Sequence, residues 1–145
     1  MYGIESWHVD NKSVLNKIIV LQKRAIRVIN NLPFNEHTNE YFKSSEILKL
    51  NDIYNCQIGT YFYNTIHNRI DPVLSDNLRL QSDIHSHNTR NSNKYVIRRY
   101  QCKKSQNNIQ YKGVKLWNSL PSSIISERNF STFKKKLKSL FISSY

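Results

Sequence analysis

Between residues 13 and 32 the chain reads SVLNKIIVLQKRAIRVINNL, and its apolar residues return every three or four positions. Val14, Leu15, Ile18, Leu21, Ala25, Ile26, Val28, Ile29 and Leu32 fill an arc of roughly 160° on a helical wheel. That is wider than a single seam, so the pattern predicts an amphipathic helix covered on two sides. Lys12, Asn16, Lys23, Arg27 and Asn30 fall on the opposite face, with Lys17 and Arg24 on its shoulder. Ser13 is placed to cap the helix, and Pro33 to end it.

A shorter helix is expected over 39–45. A third follows over 52–68 behind Asn51 as N-cap, with Ile53, Tyr54, Ile58, Tyr61, Phe62 and Ile66 as its buried stripe. Gly59 costs that helix about 1 kcal/mol against Ala, a cost that close approach of a second helix would offset. Residues 70–94 hold Pro72 and many Ser, Asn and Asp residues without a sustained period, the pattern of an irregular connector. YVIRRYQ (95–101) and NIQYK (108–112) are β-prone runs flanking the polar CKKSQN, which predicts a hairpin. Gly113 then lets the chain leave the second strand. VKLWNSL makes about two helical turns that Pro121 stops, with Trp117 as the anchor of a packing unit. A last helix is expected over about 130–142. Phe130, Phe133, Leu137, Leu140 and Phe141 line one side, and Lys134, Lys135, Lys136 and Lys138 the rest.

The expected fold is therefore mainly α: a helical bundle with a small β-hairpin at about 95–112 and a C-terminal helix. Its organisation reads as a helical segment 1–69, an irregular connector 70–94 and a basic segment 95–145 packed as one unit with the first.

Charge sharpens this picture. The net charge of the 145 residues is +12. Residues 1–83 hold nine Lys/Arg and nine Asp/Glu, whereas residues 84–145 hold thirteen Lys/Arg and one acid, Glu127. A basic half beside a neutral half points to a polyanionic partner, and nucleic acid fits that footprint. HNTRNSNKYVIRRYQCKK (87–104) carries six Lys/Arg interleaved with Tyr95 and Tyr100. Arg90, Arg98 and Arg99 suit bidentate bonds to phosphate, Lys103 and Lys104 add charge, and the tyrosines suit stacking on bases.

Catalytic chemistry finds little support. Two-metal phosphoryl transfer needs converging acids, and the acids here are scattered. With three glycines there is no phosphate-binding loop. His85 and His87 form the one close His pair, without a further ligand set nearby. Cys56 and Cys102 have no evident His partner and no CxxC spacing. No cofactor is expected. Two cysteines without a framework suit a reducing compartment. No secretory leader and no run of about 20 apolar residues is present. The expectation is an intracellular protein, nuclear or cytoplasmic, with no membrane partner.

Five blocks occur in a telling order: YGIESW, LNKIIVLQKRAIRVI, IHSHNTRNSNKYVIRRYQ, YKGVKLWNSLP and FSTFKKKLKSLF. Together they cover nearly the whole chain. They resemble the region that follows the palm in non-LTR (LINE-type) retrotransposon reverse transcriptases, the jockey-like group in particular. The resemblance implies a helical thumb and its extension, lying beside the template–primer duplex. It implies that Lys17, Lys23, Arg24 and Arg27 on the first helix approach nucleic-acid backbone, with Arg90, Arg98, Arg99, Lys103 and Lys104 as a second set. Trp117 and Pro121 would be structural. The palm's aromatic–x–Asp–Asp signature has no match here, so polymerase activity does not carry over. The implied reading is a detached, non-catalytic C-terminal piece whose partners are RNA or DNA, through backbone phosphates, and the palm itself. The alternative is an inactive remnant that needs the palm to fold and act.

Overall fold

A computed structural model describes residues 12–70, 75, 78–84 and 91–145, without the side chains of Lys12, Lys103 and Lys104. The described residues are mainly helical. In chain order the helices are α1 (Lys12–Ile29), α2 (Asn39–Ser44), α3 (Leu50–Ile66), α4 (Lys103–Gln106), α5 (Ile109–Ser119), α6 (Ser122–Ile125) and α7 (Phe130–Ser143), with a 3-10 turn at Gln81–Asp83. The chain forms two compact units: residues 1–57 with 126–145, and residues 58–125.

In the first unit, α1 already includes Lys12, the first described residue, so Ser13 lies inside the helix. Nor does Pro33 end it. The helix stops at Ile29, where Asn31 takes a left-handed φ of 51°. The Leu32 N–H then donates to the Arg27 carbonyl at 2.9 Å and the Asn31 N–H to Val28 at 3.2 Å. This is a Schellman cap, which satisfies the terminal carbonyls before the proline is reached. α2 ends the same way at Glu46, φ 50°, with Ile47 donating to Phe42 at 3.0 Å and Glu46 to Lys43 at 3.1 Å.

The start of α3 also departs from expectation. Asn51 is inside the helix, and the caps come from distant side chains. Gln22 of α1 accepts from the Leu50 N–H at 3.0 Å while its amide donates to the Leu48 carbonyl at 2.8 Å. The Tyr145 hydroxyl accepts from the Lys49 N–H at 2.9 Å and donates to Asp52 at 2.7 Å. Two otherwise orphaned donors at the helix entry are thereby satisfied. The Lys49 ammonium lies 4.0 Å from the centre of the Tyr145 ring, a cation–π contact that holds the same corner. Burial raises the Tyr145 pKa, the hydrogen bond to Asp52 adds to the rise, and the Lys49 N–H opposes it. α2 packs against α7, and Phe42, Leu50, Phe133 and Leu137 are fully buried.

The second unit overturns the hairpin. Residues 108–112 open α5 instead of forming a strand. Asn108 caps that helix, its side chain accepting from the Gln110 N–H at 2.9 Å. The β-prone residues of NIQYK begin a four-residue period, Ile109–Gly113–Trp117, that runs on across the glycine, and this period decides the conformation. Gly113 is therefore no exit from a strand. It is buried within α5, where an added Cβ would stand 2.7 Å from Cδ2 of Phe62.

The other half of the expected hairpin, from Tyr95, is extended but pairs elsewhere. Leu80 and Tyr95 form an isolated antiparallel bridge, with Val96 donating to Arg79 at 2.8 Å and Gln81 to Lys94 at 2.9 Å. Asn118 of α5 serves the free edge, accepting from the Tyr95 N–H at 3.0 Å and donating to its carbonyl at 2.7 Å. Around this knot the Phe62 ring meets Tyr95 edge-on at 5.5 Å and Trp117 at 5.4 Å. Trp117, Val114, Leu120 and Ile124 are buried. YKGVKLWNSLP is thus a packing unit, and Pro121 starts the short α6 by accepting from Ile124 and Ile125.

Candidate nucleic-acid interface

Each unit carries its own positive charge. The first holds twelve Lys/Arg against seven Asp/Glu, and the second ten against three. The expected contact residues of α1 do not act as one set. Lys17 and Arg24 are exposed and line a shallow surface groove with Asn16, Val20 and Leu21. Lys23 is half-buried. Arg27 is half-buried too, and its Nε donates to the Glu36 carbonyl at 3.0 Å. Its guanidinium carbon lies 5.8 Å from the centre of the Phe34 ring. Arg27 thus ties down the turn after α1, whereas Lys17 and Arg24 face solvent.

The apolar side of α1 is the larger surprise. Ile26 is buried, but Val14, Val20, Leu21, Val28 and Ile29 are exposed, from 46% for Val20 to 76% for Val28. Among the described residues, the wide arc is not covered on both sides as expected. Val14, Leu21 and Val28 recur at seven-residue steps, which keeps them on one side of a helix.

In the second unit, Arg98 and Arg99 are exposed on the extended segment. The tyrosines beside them are used internally. Tyr95 is half-buried against Phe62, and burial raises its pKa, with the charge of Asp83 adding to the rise. Tyr100 meets Tyr111 edge-on at 5.7 Å, and its carbonyl accepts from Gln106 at 2.9 Å. Each ring thus has an aromatic partner within the unit. Arg90, His85 and His87 lie outside the described residues, as do the side chains of Lys103 and Lys104.

Among the described residues no three His, Cys, Asp or Glu side chains are grouped to hold a metal ion. Among them, too, no helix is long and apolar enough to cross a membrane.

One feature of the first unit is only partly legible in the sequence. A cavity of about 440 Å³ is lined by Leu48, Cys56, Phe130, Ser131, Lys134, Lys135 and Lys138. Phe130, Lys134 and Lys138 follow at four-residue steps, so one stripe of α7 was legible. Leu48 and Cys56 are brought there by tertiary packing. Burial pushes the Cys56 thiol up to about 12, with the Asp52 carboxylate adding to the rise and Lys134 and Lys138 opposing it. The sulfur therefore stays neutral and behaves as a small apolar group. Lys136 pairs with Glu127 at 2.7 Å and takes no part in the lining. That bond, first among several causes, holds the Glu127 carboxyl below its usual range.

No family model, curated protein or solved structure matches the chain.

Proposed function

We propose that the chain is a non-catalytic nucleic-acid-binding segment of a retrotransposon RNA-directed DNA polymerase, the thumb-like region that follows the palm, contacting the backbone of a template–primer duplex. The observation that carries this reading is the pair Lys17 and Arg24, exposed about two turns apart on one side of α1. Arg98 and Arg99, exposed in the other unit, supply further cations. Phosphate contact through such side chains is electrostatic and indifferent to sequence.

Anisotropy binding of the chain to an RNA–DNA hybrid across a salt series tests it. Neutralising about five phosphates gives a log–log slope of about −4 to −5, and Lys17→Ala/Arg24→Ala should flatten it by about 2. A slope near zero in the unmutated chain rules the reading out.

The exposed apolar side of α1 favours a second reading. A seam of Val14, Leu21 and Val28 left in water is the mark of a surface that normally docks. On this reading the chain is an inactive remnant that needs a polymerase palm to cover α1. Sedimentation discriminates the two: self-association relieved by Leu21→Ser/Val28→Ser supports the remnant, and a monodisperse monomer counts against it.

A further inference from the structure

The lysine-rimmed cavity of the first unit has a built chemical character that backbone contact does not use. Its apolar lining is Leu48, the neutral Cys56 thiol and the Phe130 ring, with Ser131 beside them. Its rim carries three ammonium groups from one helix, Lys134, Lys135 and Lys138. Among the seven lining residues, Ser131 being the seventh, there is no acid. The one acid close along the chain, Glu127, is bonded to Lys136 instead. A volume of about 440 Å³ falls within the range of small-ligand pockets. It takes a body the size of a nucleobase with its sugar.

We propose that this cavity receives one base of a single-stranded nucleic acid, seated on Phe130 and Leu48, with the flanking phosphates on Lys134, Lys135 and Lys138. Three cations in a row suit successive backbone phosphates better than a lone carboxylate head. A lining that is apolar apart from the lysines and the single Ser131 hydroxyl suits stacking that largely tolerates any sequence. The choice of a nucleotide over other amphipathic anions rests on the nucleic-acid reading above. The site itself is separate from the α1 contacts, and it concerns unpaired strand rather than duplex.

The test uses the full chain with Cys102→Ser, so that Cys56 is the sole thiol. It compares a single strand of about ten nucleotides carrying central 2-aminopurine with a matched abasic strand. Stacking of one base makes the base-containing strand bind about tenfold more tightly. It also quenches the 2-aminopurine and slows methanethiosulfonate modification of Cys56. Lys134→Ala/Lys138→Ala weakens the single strand and leaves hybrid duplex binding through Lys17 and Arg24 in place.

Equal binding of both strands with no protection of Cys56 overturns the proposal, since the lysines are then a plain backbone patch. Protection by decanoate but not by the oligonucleotide overturns it too, in favour of an alkyl carboxylate. Loss of hybrid binding alone, with the base-dependent effect intact, removes the template–primer reading and supports this site.

Discussion

α1 and α7 are both basic amphipathic helices of the same unit, yet their apolar faces meet different fates. α7 buries Phe133 and Leu137 completely, and α2 packs against it. α1 buries Ile26 and leaves five large apolar residues in solvent. Apolar spacing fixes that a segment is helical and which residues share a face. Whether that face is covered depends on what else folds beside it. The difference separates a helix that holds the unit together from one that offers a surface.

The strongest way to break this contrast is to truncate one residue on each helix. Phe133→Ala removes a fully buried ring and should cost about 3–5 kcal/mol of unfolding free energy. Leu21→Ala, at a residue 60% exposed, should change stability by no more than about 0.5 kcal/mol. Urea denaturation followed by circular dichroism measures both. Comparable losses at the two sites would mean that α1 is covered after all.

The contrast also marks what the sequence could show. α2, α3 and α7 lie within a residue or two of their expected bounds. Phe62, Trp117, Phe133 and Leu137 could all be assigned to buried faces. The hairpin failed because β-propensity was weighed over five residues, whereas the period from Ile109 to Trp117 needed nine. Tyr95 and Tyr100 were open to either use, and the ring contact of Tyr95 comes from Phe62, 33 residues upstream. The cavity was illegible for a simpler reason. Cys56 and Lys138 are 82 positions apart, and no local pattern links them.

In the second unit the matching test is Gly113→Ala. The new methyl would meet Phe62 at 2.7 Å, and that ring is held between Tyr95 and Trp117. Overpacking of this kind costs about 1–3 kcal/mol, although Ala favours a helix over Gly. A stabilised Gly113→Ala variant would show that the ring moves aside freely.

Tyr145→Phe probes the corner where α3 begins. It deprives the Lys49 N–H of its acceptor and Asp52 of its donor, at a cost of about 1–2 kcal/mol. The same unit should weaken in alkali. Cys56 has a folded pKa raised above its unfolded value, so its contribution is fully present below about pH 9 and is lost as pH climbs toward about 12. Across that window Cys56→Ala should show a shallower fall in urea midpoint than the unmutated chain. Identical pH profiles would mean that the thiol reaches water in the folded state.

The gentlest change leaves both faces alone and alters a helix end. α1, α2 and α3 all finish in Schellman caps, with left-handed residues Asn31, Glu46 and Asn68. Asn tolerates that conformation, because its short amide bonds locally, but Glu has no such relief. Glu46→Gly should therefore stabilise the chain by about 0.5–1 kcal/mol, and Asn31→Gly by distinctly less. Since α2 packs on α7 and α1 carries the exposed face, the pair also asks whether stability gained at the covered end of the unit spreads to α1. Amide hydrogen exchange answers it: slower exchange in α1 of Glu46→Gly would mean that the two helices unfold together. Unchanged exchange there, with α2 and α7 protected, would make α1 an independently opening element held by Gln22 and Ile26.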